Sequence, residues 1–301
     1  MRQYTLKRKY CFEGKGLHTG AFSRIVVNPA EENTGIVFLR TDLGVRIPAS
    51  AANVGPTMRS TTICSGDASV TTIEHIMSAL TGLGVDNALI ETDSAEMPIL
   101  DGSAAPYVAA FASDGLQEQD AERRFVEISS EFEIRDEESG SWIRVTPADS
   151  LSFDVTVDFS SRVLGIQKVS WQEGEDYARE IAPSRTFCFF HELEYLASQG
   201  LVKGGDVDNA IVVVERPASR EQVDGISRLF NREAVDVNGE GYLNNVELHF
   251  PDECGRHKLL DLIGDIRLSG GFPKARITAY KPGHKLNTMA AKAILNQNIN
   301  G

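Results

Sequence analysis

Residues 252–265 combine a histidine with two carboxylates at a spacing that could hold a metal ion. His257, Asp261 and Asp265 recur every four residues, and Lys258 lies on their flank. In a helix such residues lie one turn apart on one face, so an imidazole and a carboxylate there can bind one divalent ion. Any solvent-exposed helix, however, has a polar face opposite its apolar one. The spacing alone therefore leaves both interpretations open.

The rest of this segment predicts the helix that positions these side chains. Asp252 can cap its start, and Gly270 with Gly271 follows its end. The other side of the helix carries an apolar arc that must face a core. This arc consists of Leu259, Leu260, Leu262, Ile263 and Ile266.

A second helix, predicted from about Thr72, carries Glu74 and His75 side by side. Thr71 and Glu74 have the spacing of a capping box, in which the glutamate only satisfies a backbone N–H. The alternative is that Glu74 and His75 present a carboxylate beside an imidazole at a helix start. The residues alone favour the capping box.

Composition indicates a globular protein of two domains. The chain has 301 residues, 42% of them hydrophobic and 24% charged, and single cores rarely grow beyond about 250 residues. No apolar run approaches the roughly 20 residues that span a bilayer. The four cysteines form no CxxC pair, which favours a reducing cytoplasm over a disulfide framework. The net charge of -13 argues against nucleic acid as a partner.

The order of strand and helix patterns predicts where the two domains meet. Residues 1–120 read as short strands with two helices, and residues 125–301 restart with alternating strands before further helices. Between them, residues 114–124 are polar and poor in apolar side chains, which is typical of a linker. No internal sequence repeat accompanies this recurrence.

Seven motifs follow one another along nearly the whole chain. They are GLHTG (16–20), TIEH (72–75), ILDGSAAPY (99–107), RTF (185–187), GLVKGGDVDNAIV (200–212), RHKLLDLIGD (256–265) and AYKPGH (279–284). Each motif alone is a weak signal, but together and in this order they resemble the UDP-3-O-acyl-N-acetylglucosamine deacetylases, the zinc amidases of lipid A biosynthesis. The resemblance implies an α+β fold of two similarly built sheet-and-helix sandwich domains packed face to face, each with an inserted element. The second insert would form an apolar passage for the substrate's acyl chain.

The resemblance also implies the chemical roles of the site residues. His75, His257 and Asp261 would hold one Zn²⁺, with Fe²⁺ as an alternative in the cell, and three ligands leave one coordination position open. Glu74 would be the general base. His284 would be the cation that stabilises the oxyanion or protonates the leaving amine.

The same resemblance assigns the residues around this centre. Asp265 would hold His284 in its charged form, Thr186 would donate its hydroxyl near the oxyanion, Phe187 would support the sugar ring and Lys258 would contact the diphosphate. The acyl chain would be bound in the second insert, by Leu193, Leu196, Leu201 and Val202, and Gly205 would be a further substrate-binding residue. Without the resemblance, the apolar residues of this insert are equally typical of an amphipathic helix packing on its own domain.

The implied reaction removes the N-acetyl group of UDP-3-O-acyl-N-acetylglucosamine as acetate, in the cytoplasm of a Gram-negative bacterium. A silent relative that only binds the nucleotide lipid is an alternative, and a zinc amidase for another acylated amine is a third. A binder could lose Glu74 or His284 while keeping the fold, so the presence of both favours the enzyme. Some relatives continue into a hydroxyacyl-thioester dehydratase, and a fused or separate domain of this kind beyond residue 301 is a further expectation.

Overall fold

A computed structural model describes residues 1–193, 204, 209–229, 236–238, 241–244 and 247–299. The strands of residues 1–122 are β1 (Arg2–Leu6), β2 (Tyr10–Lys15), β3 (Phe22–Pro29), β4 (Ile36–Arg40), β5 (Val45–Pro48), β6 (Thr62–Ser65), β7 (Ala68–Thr71), β8 (Ala88–Thr92) and β9 (Leu116–Glu122). The helices of this part, which we call the first half, are α1 (Glu74–Gly82) and α2 (Ala105–Asp114).

The remaining residues form the second half. Its strands are β10 (Phe125–Val126), β11 (Phe132–Asp136), β12 (Ser141–Pro147), β13 (Ser152–Asp158), β14 (Ile166–Gln172), β15 (Phe187–Phe189), β16 (Ile211–Val213), β17 (Phe272–Pro273) and β18 (Ala275–Tyr280). Its helices are α3 (Tyr177–Glu180), α4 (Arg220–Leu229), α5 (Glu253–Ile266) and α6 (His284–Ile299).

The two halves have the same architecture. Each contains a five-stranded sheet, in the order β2-β3-β8-β4-β5 and β11-β12-β18-β13-β14. In both sheets two antiparallel hairpins flank a central strand. The central strand runs antiparallel to the adjacent strand of one hairpin and parallel to the adjacent strand of the other. The predicted α+β fold of two similarly built units is therefore confirmed.

Contacts between helices join the two halves. Helix α1 of the first half packs against α5 of the second, and α5 also contacts α6 and strand β13. Their apolar faces belong to one continuous core cluster, which contains Phe38 and Leu80 from the first half and Phe153 and Leu260 from the second. The predicted apolar arc of α5 is fully buried in this core because sheet and helices cover it on several sides.

Each half also carries an added pair of strands. Strands β6 and β7 form an antiparallel hairpin directly before α1, and β15 pairs in parallel with β16 between α3 and α5. These pairs correspond to the predicted inserted elements.

Two local predictions take a different form in the structure. Most of the segment predicted as a linker, 114–124, is strand β9, which pairs antiparallel with β1. The division into domains 1–120 and 125–301 stays a prediction.

The predicted capping box of Thr71 and Glu74 is wrong, because α1 begins only at Glu74 and its first turn has no side-chain cap. Among the described residues, no helix is long and apolar enough to cross a membrane.

Candidate active site

The candidate site lies where α1 and α5 cross. The first turn of α1 carries Glu74 and His75, and the face of α5 turned toward it carries His257 and Asp261. The helices approach closely because α5 has a glycine at the crossing: a Cβ on Gly264 would overlap the Glu74 carbonyl group. The crossing therefore brings residues distant in sequence into one buried cluster.

His75, His257 and Asp261 form a group that could hold a metal ion, since one ligand atom from each lies within 4.8 Å of the others. Asp261 Oδ1 is 3.4 Å from Nε2 of His257 and 3.9 Å from Nε2 of His75. Among the described residues this buried oxygen has no hydrogen-bond partner. A buried carboxylate oxygen facing two imidazole nitrogens fits the donor set of a divalent ion such as zinc.

Burial and hydrogen bonding keep both imidazoles in the form that binds a metal. Nδ1 of His257 lies 3.0 Å from the Ser184 carbonyl oxygen, and donation of its proton there leaves Nε2 as a lone-pair donor. Burial lowers the pKa of His257, and burial together with the neighbouring His257 lowers the pKa of His75 to about 3. Both rings are therefore neutral at pH 7.

Asp261 stays ionised in the same surroundings. Burial favours its neutral form, but the neighbouring His257 and the Lys258 ammonium outweigh this and lower the pKa of Asp261. Lys258 Nζ lies 2.8 Å from Oδ2 of Asp261. The two carboxylate oxygens of Asp261 therefore differ: Oδ2 is bound by the Lys258 ammonium, whereas Oδ1 faces the two histidines.

Glu74 lies beside this group as a buried carboxylate. The backbone N–H of Thr61 donates to its Oε2 at 3.0 Å, and its Oε1 is 4.0 Å from Nε2 of His284. Burial raises the pKa of Glu74 to about 7. A carboxylate with a pKa near neutrality is suited to accept a proton during catalysis.

His284, at the start of α6, is held as a cation. Burial alone would lower its pKa, but Asp265 and Glu74 outweigh burial and raise the pKa of His284 to about 9. Its Nδ1 lies 3.0 Å from Oδ2 of Asp265, and its Nε2 lies 3.9 Å from Oδ2 of Asp261. A fixed positive charge next to the ligand group can stabilise an oxyanion.

These groups surround a cavity of about 150 Å³. Thr186, Phe187 and Lys258 line it together with Glu74 and the ligand group. The Lys258 Nζ is 5.6 Å from the centroid of the Phe187 ring, which in turn lies edge-on to His257. The structure thus brings the predicted polar and aromatic site residues to one place.

The predicted acyl-chain residues are only partly described. Leu193 is buried in an apolar cluster of the second half with Phe190 and Val212, as the alternative of packing on its own domain expects. Leu196, Leu201 and Gly205 lie outside the described residues.

Four residues of the site or its lining were not predicted from the sequence. Leu17, Arg59 and Thr72 line the cavity, and Thr61 bonds to its acidic groups. Leu17 lies in the GLHTG motif and Thr72 in the TIEH motif, which could have drawn attention to both. Arg59 and Thr72 have positive φ angles of 65° and 61°, and such backbone strain cannot be read from residue types.

The profile of the UDP-3-O-acyl N-acetylglycosamine deacetylase family matches residues 3–225 and 222–296. The chain belongs to this deacetylase family. It is 44% identical over 295 residues to a bifunctional enzyme LpxC/FabZ of Porphyromonas gingivalis, covering 97% of this chain. It is also 39% identical over 302 residues to a UDP-3-O-acyl-N-acetylglucosamine deacetylase of Cellvibrio japonicus, covering 99% of this chain and 91% of that relative.

The bifunctional relatives are longer than this member of the deacetylase family. The chain spans 64% of the length of the Porphyromonas gingivalis enzyme and 64% of a similar bifunctional enzyme of Bacteroides thetaiotaomicron, to which it is 43% identical. The family resemblance predicted from the motifs is confirmed.

Proposed function

We propose that the protein is a zinc-dependent deacetylase of UDP-3-O-acyl-N-acetylglucosamine that acts in lipid A biosynthesis in the cytoplasm. The observation that carries this proposal is the buried group of His75, His257 and Asp261, whose ligand atoms lie within 4.8 Å. Beside it stand a carboxylate of raised pKa, Glu74, and a histidine held as a cation, His284. The name of the Cellvibrio japonicus relative supports the substrate.

His75, His257 and Asp261 would hold one zinc ion per chain, with Fe²⁺ as the alternative. Bound there, zinc would supply Lewis-acid chemistry, because it lowers the pKa of water and polarises an amide carbonyl. The carboxylate oxygen without a hydrogen-bond partner and the two neutral imidazoles support this choice.

The protein residues move protons and stabilise charge. Glu74 takes a proton from the attacking water while the new C–O bond forms at the acetyl carbonyl. The His284 cation and the Thr186 hydroxyl then stabilise the oxyanion. As the C–N bond breaks, His284 gives a proton to the leaving amine, so acetate and the free glucosamine amine are released. Asp265 keeps His284 charged before this step.

The diphosphate, the sugar ring and the acyl chain of the substrate would be bound around the cavity. Lys258 would contact the diphosphate and Phe187 would support the sugar ring. Leu193 would bind the acyl chain together with residues outside the described part of the chain. These residues are Leu196, Leu201 and Val202, and Gly205, also outside the described part, would be a further substrate-binding residue.

The test measures metal content and deacetylation of the UDP-sugar in the same preparations. His75→Ala, His257→Ala and Asp261→Ala should each lose the bound ion and the activity. His249→Ala is the control, because that side chain is about half exposed and lies outside the ligand group. Full metal occupancy in all three ligand variants would reject the site, and metal-loaded wild-type protein that releases no acetate would reject the activity.

A further inference from the structure

Thr61 contacts three of the groups to which the proposed reaction assigns roles. Its backbone N–H donates to Oε2 of Glu74 at 3.0 Å, and its hydroxyl donates to Oδ1 of Asp265 at 2.5 Å. The same hydroxyl oxygen lies 3.2 Å from Nδ1 of His284. Thr61 is completely buried, so these contacts are shielded from water.

These contacts connect the two halves of the molecule. Thr61 and Glu74 belong to the first half, whereas Asp265 ends the polar face of α5 and His284 begins α6 in the second. Thr61 thus holds the Glu74 carboxylate through its backbone N–H and the Asp265–His284 pair through its hydroxyl.

We propose that Thr61 is a positioning residue that fixes the base Glu74 relative to the Asp265–His284 pair. The inference rests on the proposed function, since it concerns the same reaction. It assigns no proton transfer to Thr61, which acts only through the groups it holds.

The surroundings of Asp265 show why the hydroxyl matters. This fully buried carboxylate receives hydrogen bonds from Thr61, from Nδ2 of Asn287 at 2.9 Å and from Nδ1 of His284 at 3.0 Å. Among the residues that the structure describes, the Thr61 hydroxyl is the donor to Oδ1, whereas the other two donate to Oδ2. Without it a buried, charged oxygen loses its donor, which is costly in a low-dielectric interior. The carboxylate is then expected to rotate and take His284 with it.

The next residue offers a matched comparison. Thr62 is also buried and its hydroxyl also makes a short hydrogen bond, at 2.8 Å, but to Thr71 within the β6–β7 hairpin. Thr62→Val therefore removes a buried hydroxyl of the same type without touching Glu74, Asp265 or His284. A purely structural role of Thr61 predicts the same outcome for both valine variants.

The kinetic experiment compares Thr61→Val, Thr61→Ser and Thr62→Val in zinc-loaded protein. Thr61→Val should keep its metal and raise KM less than about twofold, while kcat falls about 10- to 100-fold, as for displaced catalytic groups. Thr61→Ser retains the hydroxyl and should recover most of kcat. Equal kcat in Thr61→Val and Thr62→Val, or no recovery with serine, would overturn the proposal.

A second measurement does not depend on turnover. In zinc-loaded protein with ¹⁵N-labelled histidine, the Nδ1–H signal of His284 should shift in Thr61→Val and stay unchanged in Thr62→Val, because only the first variant alters the acceptor Asp265. An unchanged signal in Thr61→Val would reject the positioning role. If wild-type protein does not deacetylate the UDP-sugar while this signal shifts, the proposed function fails and the positioning role stands.

Discussion

Glu74 and His284 are both buried, yet their pKa values move in ways that suit opposite roles. Burial raises the pKa of Glu74 to about 7, whereas in His284 two carboxylates outweigh burial and raise the pKa to about 9. Between these values the carboxylate is ionised and the imidazole is protonated. This is the state in which one can accept a proton and the other can stabilise an anion.

The pH dependence of kcat/KM should follow from this pair. Activity should rise with pH as Glu74 loses its proton and fall again as His284 loses its own. A bound cation favours the charged carboxylate and disfavours the protonated imidazole, so in the metal-loaded enzyme the rising limb should lie at or below pH 7 and the falling limb at or below pH 9. Initial rates measured from pH 5 to 10 test this, and a profile without a falling limb would remove His284 as the required cation.

Replacing Glu74 by glutamine should separate its chemical role from its structural one. Gln keeps the size and can still accept the Thr61 backbone N–H through its amide oxygen, but it cannot take a proton from water. We expect an intact fold with full zinc content and a kcat lower by about 10²–10⁴, the usual contribution of a general base. The rising limb of the pH profile should also disappear. A kcat reduced less than about threefold would contradict the assignment.

At the scale of elements, the residue pattern predicted helix α5 closely. The expected helix at 252–265 corresponds to Glu253–Ile266, because apolar spacing and flanking glycines are local signals. The pattern could not show that the opposite, polar face is buried too, since this depends on α1 crossing over it. His257, Asp261 and Asp265 therefore look solvated in sequence and are almost fully buried in the fold.

Helix α1 shows how a local rule fails when tertiary contacts compete with it. Thr71 ends strand β7, and Thr72 has a positive φ of 61° that delays the helix to Glu74. The glutamate then reaches the backbone of Thr61 instead of that of Thr71. Strand β9 was predicted as a linker because it carries few apolar side chains. It pairs with β1 through backbone hydrogen bonds, and this pairing cannot be read from its residue types.

The crossing of α1 and α5 should depend on the absence of a side chain at residue 264. Gly264→Ala would place a Cβ against the Glu74 carbonyl and within 3.1 Å of the Ser78 nitrogen, so the helices must separate. We expect a lower melting temperature and weaker metal binding, although alanine favours helices in general.

Gly225→Ala in α4 is the matched control for this variant. Among the described residues, a Cβ there meets no atom within 4 Å, so the substitution should leave metal binding unchanged and raise stability by up to about 1 kcal/mol. Thermal unfolding and metal titration of both variants make the comparison. Equal melting temperatures and equal metal affinities of the two variants would mean that the helix crossing does not depend on a glycine at residue 264.

At the scale of the whole molecule, the halves repeat one topology without a recognisable sequence repeat. The two halves are equivalent in the order of their strands and in the direction in which these strands pair. Many different apolar sequences can form the same strand order, so composition alone could not reveal this equivalence. The motif order did lead to the right family. The relation between the halves matters for the proposed metal site because His75 comes from the first half and His257 with Asp261 from the second.

A metal ion held by these three residues should therefore stabilise the molecule as a whole. The core cluster runs through both halves, so we expect calorimetry to show one unfolding transition. Ligand that binds only the folded state at about 1,000 times its Kd adds about 4 kcal/mol, which in a chain of this size corresponds to a midpoint shift of roughly 6 °C. Chelation should lower the midpoint by an amount of this order, and readdition of zinc should restore it.

His257→Ala provides the comparison for this measurement. The variant should unfold at the same temperature with and without zinc, because only two of the three ligands, His75 and Asp261, remain to hold the ion. Two separate transitions, with only one of them sensitive to zinc, would mean that the ion is bound within one half. A shift in the wild-type protein that persists in His257→Ala would mean that zinc acts at another site. A single, zinc-dependent transition that loses this dependence in His257→Ala is the outcome that a shared core and a bridging metal site require.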